Sequence, residues 1–308
     1  LKNLINLYYG EEMQQANINA IKTPRQRVNM KTTQTLKLGI IGRGFVGGAV
    51  STGFDTKNVE QYIVDPVHSK LTFAELIDSN PEVIFICLPT PTRTKASVEG
   101  PVGSVNADLI KTTLSNLEKE QYDGIVVIKS TVAPSVLESF TNIFTQLNIV
   151  YNPEFLTEAN ANDDFVNPPF QIFGGDWDMC TKVEQMYTQY SDVKPVPTFK
   201  LDIKAASFLK YTINSWLATK VVFFNELREL YAEYDMSTSW SEFIGVLAHE
   251  PRVGPSHMNV PGPDGRFGFG GNCFPKDTKA FVEESRDYSM LQLLEQAIQL
   301  NNDMRIDK

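Results

Sequence analysis

Cysteine and histidine are scarce: the 308-residue chain has three of each. Cys87, Cys180 and Cys273 stand too far apart for a disulfide framework or a paired-cysteine zinc site. His249 and His257 have no cysteine or second histidine at ligand spacing, so no metal is expected. An excess of positive charge is also missing. The net charge is −9 with no concentrated basic stripe, which argues against a nucleic-acid partner. No apolar run approaches the roughly 20 residues that span a bilayer. The start, LKNLINLYYGEEMQQ, has neither the basic beginning nor the long apolar centre of a signal peptide. A cytoplasmic protein with no membrane partner is expected. With 42% hydrophobic and 21% charged residues the composition is that of a folded globular chain, and its length suggests about two domains.

Residues 1–35 are polar and weakly patterned and read as an extension outside the core. From there the chain alternates short apolar runs with helix-compatible segments. LKLGIIGRGFVGGAVSTGF opens on a short apolar strand, and QYIVDP, EVIFICLPTPT, GIVVIKSTVAP and NIVYNPEFLTEA each read as a strand running into a polar turn, which indicates a parallel sheet with crossovers. Ligands of such sheets lie beyond the carboxyl ends of the strands, where PTPT, KSTV and NPEFLTE fall. After FQIFGG the character changes. Asp202 to about Tyr234 contains no Gly or Pro, is far longer than an average helix, and has apolar positions around most of its circumference. It is expected to be buried on several sides. The boundaries drawn are 1–35, 36–200 and 201–308.

Gly42, Gly44 and Gly47 form G-x-G-x-x-G directly after a strand and before a helix. The first glycine permits a tight turn, the second a close backbone approach to a pyrophosphate, the third close helix–strand packing. With Asp65 closing the second strand, the segment Gly42, Arg43, Gly44, Phe45, Val46, Gly47 reads as a dinucleotide site. Asp65 would accept hydrogen bonds from a ribose and repel a 2′-phosphate, which selects NAD over NADP; a turn residue before Pro66 is the plainer reading. Pro89, Thr90, Pro91 and Thr92, and Ser130 and Thr131 in KSTV, sit where hydroxyls can line a cofactor, though hydroxyl-rich turns are common. Glu154 and Glu158 would share a face if NPEFLTE began a helix. Lys210 and Asn214 are also four apart, in the apolar context FLKYTINSWLA, either on the surface or aimed at an anion. Cys273 lies in GFGGNCFPKD, with Pro275 suited to the first turn of a helix over Lys276–Glu284. A thiol there is either a buried cysteine beside a turn or a nucleophile at a helix N-terminus.

Together GRGFVGG, PTPT, KSTV, NPEFLTE, KYTINSWLATKVVFFNE and GFGGNCFPKD resemble the UDP-glucose/GDP-mannose dehydrogenase family, from Gly39 to about Met304. The resemblance implies an α/β protein: a Rossmann-like, mostly parallel sheet followed by an all-α central dimerisation domain with a long helix. It implies NAD as cofactor and a twofold oxidation of a sugar nucleotide, UDP-glucose above all, with GDP-mannose or a UDP-amino sugar as alternatives and a non-catalytic NAD-binding remnant as another. It makes Cys273 the nucleophile, Lys210 and Asn214 stabilisers of oxyanions, Asp277 a helper of Cys273 and a water, Thr131 a holder of water, and Glu154 an acid/base. Glu158 would lie on the cofactor side. The substrate would meet Glu154, Phe155, Leu156, Glu158, Lys210, Asn214 and the segment Asp264 to Gly270, which includes Phe267, Gly268 and Phe269. Arg252 would reach a sugar in the neighbouring subunit of a homodimer whose interface is the long helix. Three departures stand out. Asp65 and Glu82 are too close for the family's extra strand–helix unit, so an abbreviated sheet is expected. TEA at Thr157–Ala159 replaces a basic residue, Glu and Gly. The sequence ends after the central-domain match, so the family's third, UDP-binding domain has no counterpart in it, which fits a fragment or a compact form.

Overall fold

Strands β3 (Val83–Ile86) and β4 (Ile125–Ile128), VIFI and IVVI, are buried at every residue, as unbroken apolar strands covered on both faces are. They sit at the centre of a seven-stranded sheet in a computed structural model that describes residues 35–97 and 100–306. The extension expected over 1–35 lies, but for Thr35, outside the described residues. The other strands are β1 (Leu36–Ile41), β2 (Val59–Val64), β5 (Asn148–Tyr151), β6 (Gln171–Gly175) and β7 (Thr198–Leu201). Their order is β2-β1-β3-β4-β5-β6-β7. Pairing is parallel from β2 to β5, β6 runs antiparallel to β5, and β7 parallel to β6.

This is the mostly parallel, Rossmann-like sheet expected, and it is abbreviated. β2 forms the sheet's edge, and between β2 and β3 the chain holds one short helix, α2 (Phe73–Asp78). A reciprocal cap between Thr72 and Glu75 starts that helix. The remaining helices around the sheet are α1 (Phe45–Gly53), α3 (Asp108–Lys119), α4 (Pro134–Ile143), α5 (Ala161–Val166) and α6 (Trp177–Tyr190). On one face of the sheet Phe54, Phe85, Phe165, Phe173 and Tyr187 form an aromatic cluster with ring centroids 5.1–6.3 Å apart. Cys87 and Cys180 belong to the same buried core.

The chain forms two compact units. The first runs to Thr90 and resumes over Ala107–Ser207; the second comprises Pro91–Asn106 and the chain from Phe208 on. The second unit carries most of α7 (Ile203–Glu233), then α8 (Trp240–Leu247), α9 (Phe274–Glu284) and α10 (Gln292–Ile306). The long helix expected from Asp202 to Tyr234 is α7. One stripe of it stays exposed, however. Lys210, Tyr211, Asn214, Ala218 and Asn225 are buried, whereas Phe208, Trp216, Phe223 and Leu230 are 55–61% exposed. Spacings of seven and eight residues place those four on one stripe.

One local expectation fails. NPEFLTE does not begin a helix, so Glu154 and Glu158 do not share a helical face. Residues 152–157 are irregular, followed by a single turn of 3-10 helix over Glu158–Asn160. Side-chain carboxylates take the amide protons here: Leu156 N–H donates to Glu154 (2.6 Å), and Thr157 N–H and hydroxyl donate to Asp164 (2.8 and 2.6 Å). Such local bonds compete with helix formation.

Candidate functional site

The glycine-rich turn has the geometry its sequence requires. Gly42 adopts φ +89°, which side chains disfavour. A methyl on Gly47 would fall on the Gly42 carbonyl oxygen and 3.2 Å from Cys87 Cβ, so α1 can approach the turn only with hydrogen at that position. A methyl on Gly44 would meet nothing within 4 Å. Gly44 lines a pocket with Arg43, Phe45, Gly48, Thr52, His68 and Glu158. Glu158 is thereby beside the glycine turn, and Val46 packs against the core instead. Open space over Gly44 at the start of a helix is the cradle a pyrophosphate fits.

Asp65 stands at the end of β2 with both oxygens engaged. Oδ2 accepts from Arg43 N–H (2.7 Å); Oδ1 accepts from Val67 and His68 N–H (2.9 Å each) and contacts His68 Nδ1 at 2.9 Å. The Arg43 N–H is the main reason that the Asp65 carboxyl lies well below the usual carboxylate range. Asp65 is therefore an anion at neutral pH. Among the described residues Oδ2 accepts a single bond, leaving a lone pair of the kind a ribose hydroxyl takes.

The strand-end turns are tied to one another. Thr90 hydroxyl donates to Thr131 O (2.9 Å) and Ser130 hydroxyl to Leu88 O (2.6 Å). Both hydroxyls thus bond backbone, and Thr131 is buried beside them. Pro89 is exposed at this turn. Pro91 and Thr92 belong to the segment that groups with the second unit, where Thr92 bridges Val105. Glu154 is buried; it lines a second pocket with Phe155, Leu156 and Lys129. Lys129 Nζ and the Tyr187 hydroxyl both donate to Asn152 Oδ1 (3.0 and 2.7 Å).

In the second unit, Cys273 is the residue from which α9 starts, with Pro275 in the first turn. It is the one partly exposed cysteine; Cys87 and Cys180 are buried, and burial pushes their thiols up to about 12 and about 11. One turn into α9, Asp277 is fully buried. Its Oδ2 accepts from Asn214 Nδ2 (2.6 Å), and its Oδ1 pairs with Lys276. The structure thus joins Asn214 of α7 to the turn that carries Cys273. Lys210, one helical turn before Asn214, is likewise buried. Arg252 is elsewhere: its side chain is 88% exposed and forms a two-pronged pair with Glu250 (2.7 and 3.0 Å).

The loop Asp264–Gly270 runs into Cys273 and is held by side chains of α7 and α10. Gly268 N–H donates to Asn225 Oδ1 (3.0 Å) and Phe269 N–H to Asn301 Oδ1 (2.6 Å). Both N–H groups are engaged within the chain. Phe269 is buried edge-on to Phe274, with ring centroids 6.3 Å apart; Phe267 is half-buried. Sequence reasoning missed Asn225, Asn301, Arg305 and Lys220. The last donates to the carbonyls of Val253 and Gly254 (2.9 and 3.0 Å). A lysine and an amide in the apolar run TKVVFFNEL were the available signal, since buried polar groups need partners.

Two models of one family match the chain: the NAD binding domain of the UDP-glucose/GDP-mannose dehydrogenase family over residues 69–191, and its central domain over 204–303. A UDP-glucose 6-dehydrogenase of Haloferax volcanii is 26% identical over 311 aligned positions, covering 87% of this chain and 70% of that protein. One of Rickettsia bellii is 31% identical, covering 83% of this chain and 58% of its own length. The solved structure of a UDP-glucose dehydrogenase from Pyrobaculum islandicum superposes with a TM-score of 0.69 over 89% of this chain and 69% of that one; at 22% identity this speaks for the fold alone. With the abbreviated Rossmann-like sheet and the helical region that follows it, these matches place the chain in the UDP-glucose/GDP-mannose dehydrogenase family.

Proposed function

We propose that the chain oxidises UDP-glucose twice, to UDP-glucuronate, through a covalent adduct on Cys273. The observation that carries this reading is the buried Asn214–Asp277 pair, joined by half-buried Lys276, one turn from the only partly exposed cysteine. A carboxylate buried at that position costs several kcal/mol unless paired, an arrangement more readily understood as a polar site than as core. The relatives named UDP-glucose 6-dehydrogenase favour this sugar nucleotide over GDP-mannose or a UDP-amino sugar.

Converting a primary alcohol to a carboxylate releases two hydrides, which NAD accepts when bound at the glycine turn. The residues of the chain do the rest. The Cys273 thiolate adds to the aldehyde carbon, and the new C–S bond retains the intermediate as a thiohemiacetal. Loss of the second hydride leaves a thioester. Water adds to it, the C–S bond breaks, and the thiol returns with a carboxylate as product. Each addition builds negative charge on the carbonyl oxygen. Lys210 and Asn214 would meet that charge, an ammonium in a dry setting being a strong oxyanion stabiliser. Asp277, fixed by Asn214 and Lys276, would take up the proton of the thiol or of the water. Thr131 and Glu154, in the nucleotide-binding unit, are assigned water-holding and acid/base roles by the family pattern. Phe155, Leu156 and the Asp264–Gly270 loop would hold the sugar nucleotide.

The exposed stripe Phe208, Trp216, Phe223 and Leu230 on α7 is the surface we assign to a homodimer, with Arg252 directed at the neighbouring subunit's substrate. Cys273→Ser tests the chemistry: overall turnover should vanish, because a sugar ester hydrolyses far more slowly than a thioester. Iodoacetamide should inactivate the wild type at Cys273, and UDP-glucose should protect it. Full activity after either treatment would rule out the covalent route.

A further inference from the structure

Arg305, near the end of α10, reaches three residues of one loop. Its Nη1 donates to Asp264 Oδ2 (2.7 Å), Nη2 to Gly268 O (3.1 Å) and Nε to Phe269 O (3.1 Å). A methyl on Gly270 would sit 2.5 Å from Nη2 and 2.8 Å from Cζ, so any side chain there would have to push the guanidinium aside. The N–H groups of the same two loop residues go to Asn225 and Asn301. Every backbone polar group of Gly268 and Phe269 is therefore bonded to a side chain of α7 or α10. The Arg305 side chain is 18% exposed and Asp264 45%. The hydrogen bond from Arg305 is the main reason that the Asp264 carboxyl lies below the usual carboxylate range.

We infer that Arg305 is the positioning residue of the sugar-nucleotide loop: by tying Asp264, Gly268 and Phe269 to α10 it sets the loop's closed shape. This rests on the substrate reading of that loop given above. The planar fork is the reason for arginine here. Its N–H groups point in fixed directions and can serve two successive carbonyls and a carboxylate together, whereas a lysine ammonium is a single point charge. Without the guanidinium, the Gly268 and Phe269 carbonyls lose their partners in a largely buried setting, and the loop gains by turning them to water. A ligand that binds the closed loop then meets a smaller competent fraction, so apparent affinity falls in proportion while the chemistry of bound substrate is unchanged.

Two readouts test this. Arg266 is exposed within the loop and is a trypsin site. Cleavage after Arg266, followed by mass, should be about tenfold faster or more in Arg305→Ala, since proteolysis tracks the open population. In steady state with UDP-glucose, Arg305→Ala should raise KM about tenfold or more with kcat within about threefold, the pattern of lost uniform binding. NAD affinity should not change. Arg305→Lys should fall between the two in both readouts, and Asp264→Asn, at an exposed position, should accelerate cleavage without threatening the fold. Wild-type cleavage rates and KM in Arg305→Ala would overturn the proposal, as would a collapse of kcat or NAD binding at unchanged KM. If the wild type oxidises no sugar nucleotide yet Arg305→Ala still speeds cleavage at Arg266, the clamp stands and the substrate reading falls. Oxidation by the wild type with no effect of Arg305→Ala on either readout would sink the clamp alone.

Discussion

Three adjacent glycine positions on the nucleotide turn separate steric necessity from cofactor contact. In Gly47→Ala the new methyl lands on the Gly42 carbonyl oxygen, 2.9 Å from its carbon and 3.2 Å from Cys87 Cβ. Neither neighbour can yield easily. Gly42 is fixed at φ +89° with its N–H bonded to Val64 O (2.9 Å), and Cys87 is in the buried core. Helix α1 must move away by roughly an ångström, which loosens the packing of Ala49 and Val50 behind it. Overpacking costs about 1–3 kcal/mol, and an obstacle made of backbone puts this case at about 3 kcal/mol, or roughly 10 °C in Tm for the nucleotide-binding unit. In Gly48→Ala the methyl meets nothing within 4 Å. Alanine inside a helix should then stabilise by about 0.5–1 kcal/mol. Gly44→Ala is the discriminating variant, since its methyl also meets nothing in the protein. It should cost under about 1 kcal/mol of stability yet weaken NAD more than about tenfold, because it occupies the space a pyrophosphate needs. Thermal unfolding and calorimetric NAD titration read both quantities. Wild-type stability in Gly47→Ala would refute the packing argument, and wild-type NAD affinity in Gly44→Ala would refute the cradle.

Two further outcomes follow from exposed or charged groups. Asp65→Asn should narrow the preference for NAD over NADP by about tenfold or more, because it removes the charge that repels a 2′-phosphate; equal ratios in both proteins would take Asp65 out of that role. Trp216→Glu places a charge in the exposed stripe of α7 and should convert a dimer into monomers in sedimentation analysis, whereas an unchanged assembly would place the interface elsewhere.

The nucleotide turn was legible because glycine acts by what it lacks, and the absence of a side chain shows in one sequence as clearly as in a structure. The same holds for Cys273, whose position before a helix is announced by Pro275. Strands β3 and β4 could be read from their apolar runs alone. Other features depend on partners distant in sequence. Glu154 and Glu158 looked like helix neighbours by spacing, but Asp164, seven residues beyond Thr157, takes the amide that would have continued the turn. Thr90 and Ser130 stood out as turn hydroxyls, and the carbonyl each bonds lies more than forty residues away in the chain. The amides of Asn225 and Asn301 hold loop residues 43 and 32 positions away. No local pattern fixes such pairings; they appear only when helices α7 and α10 are in place. The exposed stripe of α7 was hidden for a related reason, since an apolar residue left exposed and one facing the core read alike.

The central claim is that one site performs two oxidations without releasing the aldehyde, and NADH stoichiometry measures it directly. A known amount of UDP-glucose is exhausted with excess NAD, NADH is read by absorbance, and a hydrazine or amine is added to trap any free aldehyde. Retention of the intermediate on Cys273 predicts two NADH for each UDP-glucose consumed, UDP-glucuronate as product, and no trapped aldehyde. One NADH for each sugar, with the aldehyde recovered as its adduct, would contradict the account and describe a simple alcohol dehydrogenase.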